Sequence, residues 1–311
     1  MKISIIGAGN VGSTTALRLA EEGVGEIMLV DVAGGLARGK ACDLEDARAI
    51  KKCDYLVDGS NDINAIEDSD IVVITAGLAR RPGMTREELL AKNAAIVSDV
   101  CRNIKKLAAQ AIVVTVTNPL DLMTYLALKV TGFDKRRIIG MGVSLDAARF
   151  ANLIAKELSV PPSEIEACVI GSHGEGMLPL PAFTSIKGVR LDEFLSDKKV
   201  EELLKLTVNR GAEIVSLLGS GSAYFAPSAA AASLVRAIAK DEKRTIGVCA
   251  YLDGEYGIKG VCLGVPCRIG INGIEKIIEL DLSKSEKEKL SSAALSLKDL
   301  IKQLPVAPSI K

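Results

Sequence analysis

Lys2-Ile3-Ser4-Ile5-Ile6-Gly7-Ala8-Gly9-Asn10-Val11-Gly12 opens the chain and decides how its first half is read. A short apolar strand runs into three glycines at GxGxxG spacing, and a helical pattern follows from about Val11 to Glu22. A second apolar stretch, Glu26-Ile27-Met28-Leu29-Val30, ends at Asp31, nineteen positions after Gly12. The glycine triplet alone is a weak signal. Between a strand and a helix, with an acid closing the next strand, it is the βαβ context of dinucleotide binding. Gly7 permits the tight turn, Gly9 lets the backbone approach a diphosphate, and Gly12 lets helix and strand pack closely. Ala8, Asn10 and Val11 complete the turn whose amides face an anion at the helix N-terminus. Asp31 accepts hydrogen bonds from ribose hydroxyls and repels a 2′-phosphate. Ala33 and Gly34 supply no cation for such a phosphate, so NAD is expected rather than NADP. A glycine-rich turn with no ligand is the alternative reading.

Strand and helix patterns continue to alternate. Helical stretches are expected at 36–49, 86–108 and 120–130, and strands at 54–58, 70–75, 111–116 and 137–140. The runs Asp70–Thr75 and Ala111–Val116 are apolar enough to be covered on both faces, as parallel strands are. The expectation is a doubly wound parallel sheet, a Rossmann-type α/β domain, over residues 1–142. At 311 residues the chain exceeds the ~250–300 at which one core usually divides. Residues 143–304 read as a second, α+β domain, and 305–311 as a flexible tail. In this half a strand is expected at 164–170, helices at 197–218 and 227–240, strands at 246–252, 258–266 and 274–280, and a helix at 285–304.

Bulk composition excludes several classes. Lys plus Arg equals Asp plus Glu at 39 each, so no global field recruits nucleic acid or an acidic membrane. No apolar run reaches the ~18 residues of a membrane span. Met1-Lys2 lead straight into the first strand without a cleavage-site pattern. Seven cysteines occur without a CxxC or a Cys/His cluster, so they read as buried small hydrophobes in a reducing compartment. No metal site is expected, and the expected location is the cytoplasm.

Ligands of such sheets bind beyond the carboxyl ends of the strands. After the 70–75 strand comes Ala76-Gly77-Leu78-Ala79-Arg80-Arg81-Pro82-Gly83-Met84-Thr85-Arg86, glycines for movement and three arginines for an anion. After the 111–116 strand comes Thr117-Asn118-Pro119. Ser144-Leu145-Asp146-Ala147-Ala148-Arg149 puts an acid and a base three apart on one helical face; an exposed ion pair is the bland alternative. His173, the single histidine, sits in Val169-Ile170-Gly171-Ser172-His173-Gly174-Glu175-Gly176. A strand there runs out into a glycine-rich loop, and imidazole suits proton transfer near neutrality. An idle histidine is the alternative.

Together these segments resemble the lactate/malate dehydrogenase family along almost the whole chain. The resemblance rests on Gly7–Gly12, Asp31, the arginine-bearing loop, Thr117-Asn118-Pro119, Leu145–Arg149, Gly171–Gly174 and Gly264-Val265-Pro266, in the family's order. It implies NAD-dependent oxidation of a 2-hydroxy acid, malate in particular. His173 would take the hydroxyl proton, Asp146 would orient the imidazole, and Arg149 would grip the substrate carboxylate. Arg86 would polarise the carbonyl, and Asn118 would bind the reacting oxygen or carboxylate. Val116, Thr117, Asn118 and Asn93 would line the cofactor. Arg80, two before Pro82, would read the far carboxylate of a dicarboxylate, and Ala223 would leave room for it. A lactate or other 2-hydroxyacid dehydrogenase, or a non-catalytic NAD-binding module, are the competing readings. Relatives of this kind imply a homo-oligomer, tetramer or dimer. The apolar faces of 41–49 and 228–234 are candidate subunit contacts or simply internal packing.

Overall fold

The computed structural model describes residues 1–78 and 85–304, with Arg86 as backbone only. Its first half alternates strands β1 Lys2–Ile6, β2 Glu26–Val30, β3 Val57–Ser60, β4 Ile71–Ile74, β5 Ile112–Thr115 and β6 Ile138–Gly140 with helices. The helices are α1 Asn10–Glu21, α2 Leu36–Lys51, α3 Arg86–Leu107 and α4 Leu120–Thr131. The six strands pair in parallel in the order β3-β2-β1-β4-β5-β6. Every residue of β4 and β5 is buried. Helices on both faces require this, and it explains why those strands read as unbroken Val/Ile runs rather than alternating ones.

The order reverses between β1 and β4, so a crevice opens beyond their carboxyl ends. The glycine turn fills that position. Gly7 has φ +105°, a conformation costly for any other residue. A Cβ on Gly12 would lie 1.9 Å from the Gly7 carbonyl oxygen, so α1 can approach β1 only through glycine. A Cβ on Gly9, by contrast, would meet nothing within 4 Å.

The second half comprises α5 Val143–Leu158, β7 Ile165–Glu166, β8 Val169–Gly171, β9 Met177–Pro179, β10 Ser185–Ile186, β11 Val189–Arg190, α6 Asp197–Leu218, α7 Phe225–Ala239, β12 Arg244–Asp253, β13 Lys259–Gly270, β14 Gly273–Ile277 and α8 Lys284–Ile301. Its long strands join the first sheet. β12 pairs antiparallel with β6 through Cys249 and Gly140, and β13, β8 and β9 extend the sheet, with β14 also on β13. A separate three-stranded sheet holds β11, β10 and β7.

Several elements differ from the sequence reading. The strand expected over 164–170 is broken. Ile165–Glu166 pairs with β10 and Val169–Gly171 with β9 and β13, while the Cys168 carbonyl accepts from Leu180 N at 2.8 Å between them. Nothing in that apolar run marks the break. The strand expected at 54–58 forms at Val57–Ser60, because Tyr55 turns inward and its hydroxyl donates to Leu44 O at 2.7 Å. The 228–234 stretch belongs to the internal core, where α7 packs on α1 and Ser228 Oγ accepts from Arg18 Nε. Ala41 is likewise buried within the chain. The expectation for 305–311 lies outside the described residues.

The glycine crossing makes one strong demand. Gly12→Ala must separate α1 from the turn, and overpacking of this kind costs about 1–3 kcal/mol. Thermal unfolding should move to lower temperature, and dinucleotide affinity should fall with it.

Candidate active site

The carboxyl ends of β1, β2, β4, β5 and β8 carry the residues singled out above. Around the glycine turn, α1 begins at Gly9 with no side-chain cap and no acidic residue in its first turn. Its free amides and positive dipole end are therefore available to an anion. The open space beside Gly9 is where a diphosphate fits, so the turn suits the dinucleotide expected from the sequence. Ala8, Asn10, Val11 and Gly12 line the same turn and the start of α1. Thr75 Oγ1 donates to Gly7 O at 2.8 Å and ties the turn to the end of β4.

Asp31 ends β2 and is half-buried. Its Oδ2 accepts from Ala8 N at 2.7 Å and its Oδ1 from Ala33 N at 2.9 Å. Sequence reasoning assigned it only to the ribose. It also pins the glycine turn, and each oxygen keeps a further lone pair for a ribose hydroxyl.

The β4 and β5 ends are stitched together. Thr117 Oγ1 donates to Ala76 O at 2.7 Å. Asn93, on α3, accepts from Leu78 N at 2.8 Å and donates to Leu78 O at 3.2 Å and Asn118 O at 2.7 Å. Its side chain is buried, with both amide protons committed to backbone. These bonds brace the ends of β4 and β5 against each other. Val116 is half-buried, Asn118 is exposed at the strand end, and the Asn118–Pro119 peptide is cis. Ala223 lies half-buried between α6 and α7. Arg80 and the Arg86 side chain fall outside the described residues.

His173 follows β8. Its Nδ1 lies 2.8 Å from Asp146 Oδ2, and Arg149 Nη1 donates to Asp146 Oδ1 at 3.2 Å. Asp146 is fully buried, while the His173 and Arg149 side chains are 16% and 13% exposed. The i, i+3 pair is therefore no solvated surface pair: one buried carboxylate holds two cationic groups. Arg149 Nε is buried without a partner among the described residues. A guanidinium edge without a protein partner is one that can take a carboxylate. Gly211 of α6 lies alongside, its Cβ position 3.6 Å from both terminal guanidinium nitrogens. Gly142, the residue before α5, is a contact that sequence reasoning missed. A Cβ there would stand 3.2 Å from His173 Cβ and 2.3 Å from Leu120 Cδ2. The signal was present in Gly140-Met141-Gly142, but strand patterning does not show which residue such a glycine serves.

Burial alone would lower the His173 pKa. The Asp146 hydrogen bond and charge outweigh it, Asp121 adds to them, Arg149 offsets part, and the net direction is upward. The site therefore stabilises the imidazolium relative to a free histidine. Its contribution to folding stability is present below the ordinary value of about 6.5 and is lost as pH rises through the raised value. With Nδ1 bound to Asp146, Nε2 is the nitrogen left to exchange a proton with a ligand. No group of His, Cys, Asp and Glu among the described residues could hold a metal ion.

A nucleotide-binding α/β protein with a buried cluster of His173, Asp146 and Arg149 beside its ligand edge is thus defined. The sequence matches the lactate/malate dehydrogenase NAD-binding domain over residues 1–140 and the lactate/malate dehydrogenase alpha/beta C-terminal domain over 143–305. The chain belongs to the lactate/malate dehydrogenase family. Malate dehydrogenase of Methanosarcina mazei is 49% identical over 306 residues, 98% of this chain and 100% of that one. The structure resembles Cryptosporidium parvum malate dehydrogenase with TM-score 0.95 at 39% identity, covering 97% of this chain and 98% of that one. It also resembles Cryptosporidium parvum lactate dehydrogenase complexed with lactic acid and NAD, with TM-score 0.94 at 36% identity over 99% and 98% of the two chains.

Because the chain has one histidine, a ring-labelled NMR titration reads His173 alone. Its midpoint should lie above the ordinary ~6.5, and Asp146→Asn should bring it down. An unchanged midpoint would mean that Asp146 does not stabilise the imidazolium.

Proposed function

We propose that this chain catalyses the reversible oxidation of (S)-malate to oxaloacetate. The observation that carries the proposal is the cluster of His173, Asp146 and Arg149 at 2.8 and 3.2 Å. It stands at the ligand edge of the NAD-binding sheet. In this reading residues 1–142 hold the dinucleotide and 143–304 hold the groups that move the proton and seat the substrate.

NAD, when bound, supplies the hydride acceptor for the carbon that bears the hydroxyl. His173 Nε2 accepts the hydroxyl proton as that carbon is oxidised, and returns it when oxaloacetate is reduced. Asp146 keeps the ring's orientation and stabilises the imidazolium. Arg149 clamps the carboxylate next to the reacting carbon, using the guanidinium edge that has no protein partner. Asn118 hydrogen-bonds the reacting oxygen from the end of β5. Arg86 polarises the carbonyl and stabilises developing negative charge. Gly7, Ala8, Gly9, Asn10, Val11 and Gly12 cradle the diphosphate, and Asp31 takes the ribose. Val116 and Thr117 form the wall beneath it, braced by Asn93.

Substrate choice rests on Arg80. A guanidinium facing the methyl of pyruvate would be desolvated without a partner, a loss of several kcal/mol, whereas the second carboxylate of oxaloacetate pairs with it. Relatives named malate dehydrogenase at 46–49% identity support this choice. The likeness to a lactate dehydrogenase shows that the frame itself favours neither substrate. We further infer a homo-oligomer, dimer or tetramer, from large apolar side chains left exposed, among them Ile50 at 84%, Leu217 at 79% and Phe225 at 64%. No helix among the described residues is long and apolar enough to cross a membrane. Seven unpaired cysteines favour a reducing, cytoplasmic setting.

Steady-state assays with NADH should give kcat/KM for oxaloacetate about 10²-fold or more above that for pyruvate. Arg80→Gln should collapse that ratio through the oxaloacetate value. Comparable efficiency of the wild type on pyruvate would defeat the assignment. His173→Ala should lose about 10²–10⁴-fold in kcat, the usual worth of general acid–base catalysis. Asp31→Ala should narrow the preference for NAD over NADP and weaken both, since it also frees Ala8 N; undiminished discrimination would remove the ribose role.

A further inference from the structure

A second buried acid stands behind the catalytic histidine, and the mechanism above makes no use of it. Asp121 lies in the first turn of α4, two residues after Pro119, and is almost fully buried. Its Oδ2 accepts from Ser172 Oγ at 2.6 Å and from the His173 main-chain N–H at 3.0 Å. Oδ1 is buried and accepts no hydrogen bond among the described residues, and the Cys249 thiol lies close to the carboxyl. Cys249 and Cys262 sit on the same face of neighbouring strands β12 and β13, in register with Gly264 and Tyr251 respectively. Burial pushes the Cys249 thiol well up, so it keeps its proton and can offer the S–H to the carboxyl. The His173 N–H can only donate to this carboxyl, and the Ser172 hydroxyl and Cys249 thiol are able to, a set of contacts that suits an anion.

Charge balance shows what that anion does. Among the described residues, the charged groups facing the His173 ring are Asp146 and Arg149 from α5 and Asp121 from α4. Asp146 carries one negative charge and is shared by two cations, Arg149 and the protonated imidazole. Those three sum to +1 in a site sheltered from water, where an uncompensated charge is costly. An ionised Asp121 brings the sum to zero.

We propose that Asp121 is a positioning residue for the proton transfer, anchoring the His173 main chain and supplying the negative charge that lets the imidazolium form. The inference rests on the reading of His173 as the group that carries the proton. Burial pushes the Asp121 carboxyl up and sets the net direction, while the Ser172 and Cys249 side chains and the His173 charge and main-chain N–H pull it part of the way back. Its charge and that of His173 are therefore mutually supporting: each is easier to hold when the other is present. Ser172 follows as part of the device, since its hydroxyl is the shortest donor to the carboxylate. A lone acid in the apolar helix Leu120-Asp121-Leu122-Met123 was visible in the sequence, yet helical periodicity does not indicate that it faces a loop fifty residues away.

The test is the NMR titration of the single imidazole in the ligand-free protein, wild type against Asp121→Asn. The amide can still accept from Ser172 and His173 N but carries no charge. The expected result is a lower midpoint: at a fixed pH above it, the ratio of imidazolium to imidazole falls about threefold for each half unit moved. The pH profiles of kcat/KM for oxaloacetate and for malate should shift their midpoints the same way. A midpoint unchanged from wild type, or a rate loss uniform with pH, would overturn the proposal and leave Asp121 a structural acid. Should Asp121→Asn not fold, the wild-type Asp121 carboxyl carbon decides. A carboxylate shift at pH 7 supports the proposal, and a neutral-acid shift overturns it. The titration needs no turnover, so failure of the malate assignment would appear in the substrate assays and leave this readout intact.

Discussion

A carboxylate with no exposed surface, Asp146, is the constraint on which the catalytic half depends. Burying such a charge alone would cost many kcal/mol, and the fold tolerates it only because an imidazole and a guanidinium converge on its two oxygens. That requirement sets the rest of the geometry. α5 must begin where β6 ends, with Asp146 on its inward face. The loop after β8 must deliver His173 to the helix, and Gly142 must be bare of a side chain to let the ring in. Arg149, one turn along, is then held on Asp146 through Nη1, with its Nε left unpartnered among the described residues. Positioning of the imidazole and of the guanidinium is thus a single structural event.

The cofactor half is governed by close backbone approach. Gly7 and Gly12 let α1, β1 and the end of β4 meet at distances no side chain permits, and Asp31 closes the turn from the side. Thr75, Thr117 and Asn93 then lace the ends of β1, β4 and β5 with side-chain to main-chain bonds. The ligand edge is held by polar stitches, and the sheet beneath it by apolar packing. A residue with a polar side chain at that edge can therefore serve the frame, the ligand or both, as Asp31 does.

Much of this was legible beforehand. The parallel sheet could be read because its strands are uniformly apolar and its turns carry glycine. The site could be read because Gly7–Gly12, Asp146, Arg149 and His173 occur in a recognisable order. What escaped notice involved contacts between distant segments. Asp121 beneath His173, Gly142 against its ring, and Asn93 turned inward all depend on tertiary proximity that no local pattern encodes. The broken strand at Ile165–Gly171 escaped for another reason: pieces of two and three residues are too short for periodicity to resolve. For two of the arginines named from the sequence, Arg80 and Arg86, the roles come from the family resemblance and the chemistry of the guanidinium, since those side chains lie outside the described residues.

The single sheet running from β3 through β6 and β12 to β9 has a mechanical consequence. Bare at Gly140, β6 lies so close to β12 that a Cβ would stand 2.8 Å from Cys249 Cβ. The junction between nucleotide half and substrate half is therefore a seam of hydrogen-bonded strands rather than a hinge. The glycine turn and the imidazole are thus carried on the same continuous sheet. Variation in what the protein accepts can then be confined to loops hung on that seam, which can be exchanged without retuning the spacing over which hydride and proton must arrive together.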